Sequence, residues 1–144
     1  MDYYEELTVG DSDSFGEYEV TAEEVTAFAS QYDPQPIHTD PEAAEGTMFG
    51  GLVASGWHTA AMTMRLLVDH KLTGSGAMGA YGVDALRWPE PVRPGDTLSV
   101  RTEVVEKEPF DEGRGRVDME VTTGTDAGDT VLSMVGRVLW RRRA

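Results

Sequence analysis

Cysteine is absent from this 144-residue chain, which removes disulfides, thiolate metal ligands and a cysteine nucleophile together. Lysine is nearly absent. Lys71 and Lys107 are the only two, the other ten basic side chains are Arg, and none of either kind precedes Arg65. Against these 12 cations stand 26 Asp and Glu, for a formal charge of −14. Nucleic-acid binding requires Lys and Arg to neutralise phosphates, and a surface this acidic repels polyanions, so nucleic acid is set aside as a partner. A long apolar run is missing as well. The most apolar stretch, 49–68, is interrupted by Ser55, His58, Thr59, Thr63 and Arg65, and no membrane span is expected. The acidic start Met1 to Glu6 lacks the basic and apolar regions of a signal peptide, so a cytoplasmic location is expected.

What is present describes a folded domain. A hydrophobic share of 40% is too high for an acidic disordered chain, and the length suits one domain, 1–144, with a sizeable core. The charge then belongs to the surface. Acid excess with almost no lysine also suits concentrated salt, where a Debye length of ~3 Å at 1 M screens self-repulsion.

Local patterns give the element order. Thr21-Ala22-Glu23-Glu24 reads as a capping box, with Val20 and Val25 as its hydrophobic staple, opening a helix to about Gln31. Asp33-Pro34-Gln35-Pro36 reads as rigid loop, because each proline disfavours helix in the residue before it. Asp40-Pro41 to Gly46 reads as one capped helical turn. A longer helix is predicted from Ser55 to about Thr73, apolar around most of its circumference and so buried on several sides. Strands are predicted at 77–88, 97–106, 116–123 and 130–140, with an earlier one at 15–20; the clearest alternation is Leu98, Val100, Thr102, Val104. Short turns such as Pro94-Gly95-Asp96 separate them. The class is α+β, an antiparallel sheet with a helix packed on it.

The segment Asp33-Pro34-Gln35-Pro36-Ile37-His38 places a carboxylate and an imidazole five residues apart. They converge only if the prolines bend the chain, and such a stiff bend suits a general acid and base pair. Gly56, opening a helix, offers an unobstructed N–H at a positive dipole end, where it can polarise a carbonyl oxygen. The same residues also fit a turn-stabilising Asp33, a satisfied core His38 and a glycine that merely permits close packing. Other pairings are weaker. Ser55 with His58 lacks the G-x-S-x-G context, since Val53 occupies the first glycine position, and Ser55 reads as the helix N-cap. His38 and Asp40 have no further His or Cys cluster around them, so no metal is expected. His70 reads as a helix-end cation. Met48, Met62, Met64 and Met78 read as core or pocket lining. Arg141-Arg142-Arg143 reads as a frayed strand end, with contact to a phosphate group of a ligand as the alternative.

The runs Tyr32-Asp33-Pro34-Gln35-Pro36-Ile37-His38-Thr39-Asp40 and Phe49-Gly50-Gly51-Leu52-Val53-Ala54-Ser55-Gly56 resemble the signature of the MaoC-like dehydratases, the R-specific enoyl-CoA hydratase group of hot-dog folds. The turn Pro94-Gly95-Asp96-Thr97-Leu98 resembles that family's hairpin. Tyr32, Gln35 and Ser55 depart from its usual Gly, Asn and His. The resemblance spans roughly residues 15–140 and implies a single hot-dog domain, its antiparallel sheet wrapped around one long central helix. It implies reversible addition of water to a trans-2-enoyl-CoA to give the (R)-3-hydroxyacyl-CoA, without a cofactor. Asp33 and His38 would hold the water, Asp33 as base and His38 as acid, and the Gly56 N–H would bind the thioester oxygen. Gln35, Ser55 and Trp57 are the expected substrate-binding neighbours. A homodimer formed through a sheet edge is implied too. The rival readings are a hot-dog thioesterase and a non-catalytic acyl-CoA binding or assembly subunit.

Overall fold

The computed structural model describes residues 2–143. A short 3-10 turn, Tyr4–Glu6, precedes β1 (Ser12–Glu19), α1 (Ala22–Tyr32), α2 (Pro36–Thr39), α3 (Pro41–Glu45) and α4 (Gly56–Leu67). Then come β2 (Ala77–Arg87), β3 (Thr97–Pro109), β4 (Arg114–Thr125) and β5 (Thr130–Arg141). The strands form one antiparallel sheet in the order β1-β3-β4-β5-β2. β3, β4 and β5 make a meander; β1 and β2, which flank the helices in sequence, close its two edges.

The period-two pattern of β3 decides which face is core. Leu98, Val100, Thr102 and Val104 are all at most 2% exposed, and Val117, Met119 and Val121 of β4 continue the same buried surface. α4 lies on it. Thr63 and Thr123, both buried, share a hydroxyl hydrogen bond of 2.7 Å between helix and sheet, so neither polar group is left unpaired. At the far end Trp140 packs in the core and its indole N–H donates to the Asp2 carbonyl, at 2.7 Å. On the opposite face of the sheet, Asp118 is fully buried between Arg116 and Arg137.

The helix caps follow the local chemistry. Thr21, Asp40 and Ser55 each accept a backbone N–H of the helix they open, as short polar side chains at N-caps do. Four details differ from expectation. Glu24 does not reach back to close the capping box; its carboxylate accepts from the Tyr18 hydroxyl and from His58 instead. Pro36 does not continue the rigid loop but starts α2, where its fixed φ and missing N–H suit the first helical position. α4 ends at Leu67 and loosens into a π turn, Val68–Leu72, which Lys71 ties to Asp13 of β1 at 2.6 Å and His70 ties by stacking on Phe15. Finally, α4 is buried on one side only. His58, Thr59, Met62, Thr63, Leu66 and Leu67 are buried, but Trp57 and Met64 remain 59% and 48% exposed. Five strands flank the helix without encircling it.

The arginine-rich C-terminus is not frayed. The Arg143 N–H donates to Glu5 at 2.9 Å, its guanidinium pairs with Glu6, and Arg142 donates to the Asp111 carbonyl at 2.6 Å. These partners engage the guanidinium groups of Arg142 and Arg143.

Candidate active site

Three short elements converge. α1 ends in Asp33 as its C-cap, α2 carries His38, and α4 begins at Gly56 after its Ser55 cap. The single helical turn of α2 produces the bend that a straight strand between Asp33 and His38 could not. Asp33 Oδ2 lies 3.4 Å from His38 Nε2, with the two side chains 19% and 8% exposed.

The other ring nitrogen settles the tautomer. His38 Nδ1 is 2.6 Å from the Val53 carbonyl. A carbonyl only accepts, so Nδ1 carries the hydrogen, and in its neutral form the imidazole presents its Nε2 lone pair to Asp33. At 3.4 Å the two groups are beyond a good direct hydrogen bond. Two acceptors therefore face one small region, an arrangement satisfied by a molecule with two donor hydrogens such as water.

Asp33 is held ionised. The Gln35 amide donates to its Oδ1 at 2.7 Å, and this bond, followed by the Ser55 hydroxyl, keeps its carboxyl below the usual carboxylate range. Partial desolvation opposes them, and the charge that His38 carries when protonated adds to them.

His38 and Gly56 line a cavity of about 400 Å³ together with Phe49, Thr59, Trp88 and Glu90. Gly56 has no space for a side chain: a Cβ there would lie 2.5 Å from Trp88 Cε2. Its N–H, in the first turn of α4, has no intrahelical acceptor and sits at the positive end of the helix dipole.

The expected neighbours take different places. Ser55 is fully buried and caps α4, accepting from the Trp57 N–H at 3.3 Å. Gln35 holds Asp33 rather than facing the cavity. Trp57 stands one layer back and packs edge-to-face on Trp88 with centroids 5.1 Å apart. The sequence reading missed Trp88 and the Val53 carbonyl. The run Trp88-Pro89-Glu90-Pro91 carried a signal, an aromatic on a proline-stiffened loop just past a strand. Among the described residues, no group of three or more His, Asp and Glu side chains is placed to hold a metal ion, and no helix is long and apolar enough to cross a membrane.

Comparison with known proteins identifies relatives of the whole fold. A family model described as MaoC like domain matches residues 8–127. The 3-hydroxyacyl-thioester dehydratase Z of Mycobacterium tuberculosis is 38% identical over 108 residues, 72% of this chain and 69% of that protein. The 3-hydroxybutyryl-CoA dehydratase of Methylorubrum extorquens is 35% identical over 105 residues, 72% of this chain and 64% of that protein. Among solved structures, the MaoC-like dehydratase from Rhodospirillum rubrum superposes with a TM-score of 0.92 at 42% identity, covering 99% of this chain and 98% of the other. The R-hydratase PhaJ1 from Pseudomonas aeruginosa gives 0.79 at 28% identity, covering 98% and 86%. With the motif, the sheet order and the family match all in agreement, this chain belongs to the MaoC-like dehydratase family and has its hot-dog fold.

Proposed function

We propose that this protein adds water reversibly to a trans-2-enoyl-CoA, giving the (R)-3-hydroxyacyl-CoA. The observation that carries the reading is the pair His38 Nε2 and Asp33 Oδ2, 3.4 Å apart, with His38 and Gly56 lining one cavity. A water donating to both is oriented with its oxygen free to attack. As that oxygen bonds to the β-carbon, the alkene π electrons move toward the thioester carbonyl. The Gly56 N–H stabilises the growing negative charge on the carbonyl oxygen, an interaction stronger in the transition state than in the substrate.

The proton balance follows from the tautomer. His38 Nε2 takes one water proton, the Asp33 carboxylate offsets the resulting imidazolium, and the same proton is returned to the α-carbon. The net change is H and OH added across the double bond. This proposed division reverses the expected one, Asp33 as base and His38 as acid, and the Val53 carbonyl at His38 Nδ1 supports it by leaving Nε2 free to accept in the neutral ring.

The rest of the substrate has candidate contacts. An apolar groove of about 300 Å³ between α4, β2 and β5 includes Met64, Met78, Met119 and Met134, side chains that adapt to an acyl chain. Met64 lies eight residues beyond Gly56, roughly 12 Å along the helix. Arg93, hydrogen-bonded to the Phe49 carbonyl at 2.7 Å, offers charge to the CoA phosphates. A homodimer is part of the proposal: β2 pairs with β5 along one edge, and Met78, Tyr81 and Val83 are about half exposed, a surface that edge pairing with a second copy would cover.

The test is loss of enoyl-thioester ultraviolet absorbance on adding the protein to crotonyl-CoA and longer homologues, with free thiol measured in parallel. Asp33→Asn and His38→Ala should each lower kcat about 10²- to 10⁴-fold, the range of acid–base groups. Unchanged activity in both variants would overturn the site. Release of free CoA thiol would favour the thioesterase, and no turnover of any enoyl-CoA would favour the binding subunit.

A further inference from the structure

A second polar cluster lies outside the lining of the cavity that holds His38 and Gly56. Glu24 of α1 accepts hydrogen bonds from Tyr18 of β1 and from His58 of α4; the His58 Nε2 to Glu24 distance is 3.1 Å. His58 is 3% exposed and stacks on Phe28 of α1, with centroids 4.6 Å apart and planes within 9°. Phe28 in turn packs on Tyr32, 5.2 Å away, and Tyr32 immediately precedes Asp33. The cavity that His58 lines, with Tyr18, Glu24 and Arg65, shares no residue with the one lined by His38 and Gly56. His58 therefore has no direct route to the reacting atoms.

Its position in the fold gives it an indirect one. α1 delivers Asp33 from its C-terminal end and α4 delivers Gly56 from its N-terminal end. His58 stands two residues past Gly56 and grips α1 by a hydrogen bond and a ring stack. Two local costs are accepted to make this grip. The Glu24 carboxylate leaves its own helix cap, and His58 Nδ1 is buried with no hydrogen-bond partner. A leucine or phenylalanine would pack there without an orphaned nitrogen, and a buried unpaired polar atom calls for an explanation.

We propose that His58, through Glu24 and Phe28, is a positioning residue that fixes α1 against α4 and so holds the Asp33 carboxylate in register with the Gly56 N–H. The proposal rests on the hydratase reading for its kinetic consequence, though not for its structural one. Loosening the clamp lets Asp33 shift relative to His38 and Gly56 while the cavity walls, which come from other residues, stay in place.

The experiment compares wild type with His58→Leu, His58→Gln and Glu24→Gln on crotonyl-CoA. A displacement near 1 Å costs about 10²-fold in rate, so kcat of His58→Leu should fall by up to that factor with KM nearly unchanged. His58→Gln, which retains a donor near the Nε2 position, should recover most of the loss. Combining His58→Leu with Glu24→Gln should cost no more than His58→Leu alone, because both act through one bond. Histidine-ring NMR reads the same effect without substrate: the His38 resonances should move in His58→Leu and return in His58→Gln. A folded His58→Leu protein with wild-type kcat and unmoved His38 resonances would overturn the proposal, as would equal losses in the Leu and Gln variants. Absence of hydration by wild type would instead overturn the hydratase reading, and the His38 resonances would still decide the positioning role.

Discussion

Gly56→Ala separates the fold from the function. The new methyl would sit 2.5 Å from Trp88 Cε2 and 2.6 Å from Cδ2, whereas carbon atoms pack best at about 3.5–4.0 Å. The indole must withdraw by roughly 1 Å or the start of α4 must move by as much. Trp88 is 40% exposed and rests on the still more exposed Trp57, so the ring can swing outward. Overpacking of this kind costs about 1–3 kcal/mol, while alanine gains up to about 1 kcal/mol over glycine within a helix. The two nearly offset, and net destabilisation of about 0–2 kcal/mol lowers Tm by only a few degrees. Activity has no such offset. Trp88 and Gly56 both line the cavity that holds His38, and a misplacement near 1 Å is expected to lower kcat about 100-fold, equivalent to ~2.7 kcal/mol in the barrier. The assay pairs thermal denaturation with loss of crotonyl-CoA absorbance. Trp88→Leu provides the control: by removing the ring it should make Gly56→Ala cost less stability in the double variant than it does alone. A Gly56→Ala protein with wild-type kcat would refute the role given to this glycine, and additive stability losses would refute the contact.

Asp118→Ala leaves Arg116 and Arg137 without the buried carboxylate between them. Because Arg137 keeps Asp84 and Arg116 keeps Glu108, the loss should sit at the low end of the range for broken buried pairs, about 3 kcal/mol by urea denaturation; an unchanged midpoint would refute it. Burial pushes His58 below its ordinary value of 6.5, with the Glu24 carboxylate opposing the shift. Just below that pH the unfolded chain holds a proton that the folded chain does not, so stability must fall as pH drops through 6.5 toward the folded value. Denaturation midpoints from neutral pH to mildly acidic pH should show this component in wild type and lose it in His58→Leu; equal slopes in both would refute it.

Much of the fold was legible because it is written between neighbours in the chain. Thr21, Asp40 and Ser55 announce helices through hydrogen bonds to residues two or three positions away. Leu98, Val100, Thr102 and Val104 announce a half-buried strand because successive side chains point to opposite faces. Where expectation failed, a competing partner had intervened. Glu24 left the capping box for Tyr18 and His58, and Gln35 turned to Asp33. Trp57 and Met64 of α4 stay about half exposed, a fact that a helical wheel cannot report.

The candidate site divides along the same line. The residues Asp33, His38 and Gly56, their spacing and the stiffness of the proline-bounded bend are properties of the sequence, since they depend on residue type and local backbone preference. The proposed direction of the proton is not. It depends on the Val53 carbonyl meeting His38 Nδ1, on the Gln35 amide turning onto Asp33, and on Trp88 filling the space that Gly56 leaves open. Two of these contacts join residues far apart in the chain, and only the packed structure brings their atoms within hydrogen-bond or van der Waals range, where short-range forces can choose a tautomer or exclude a methyl group.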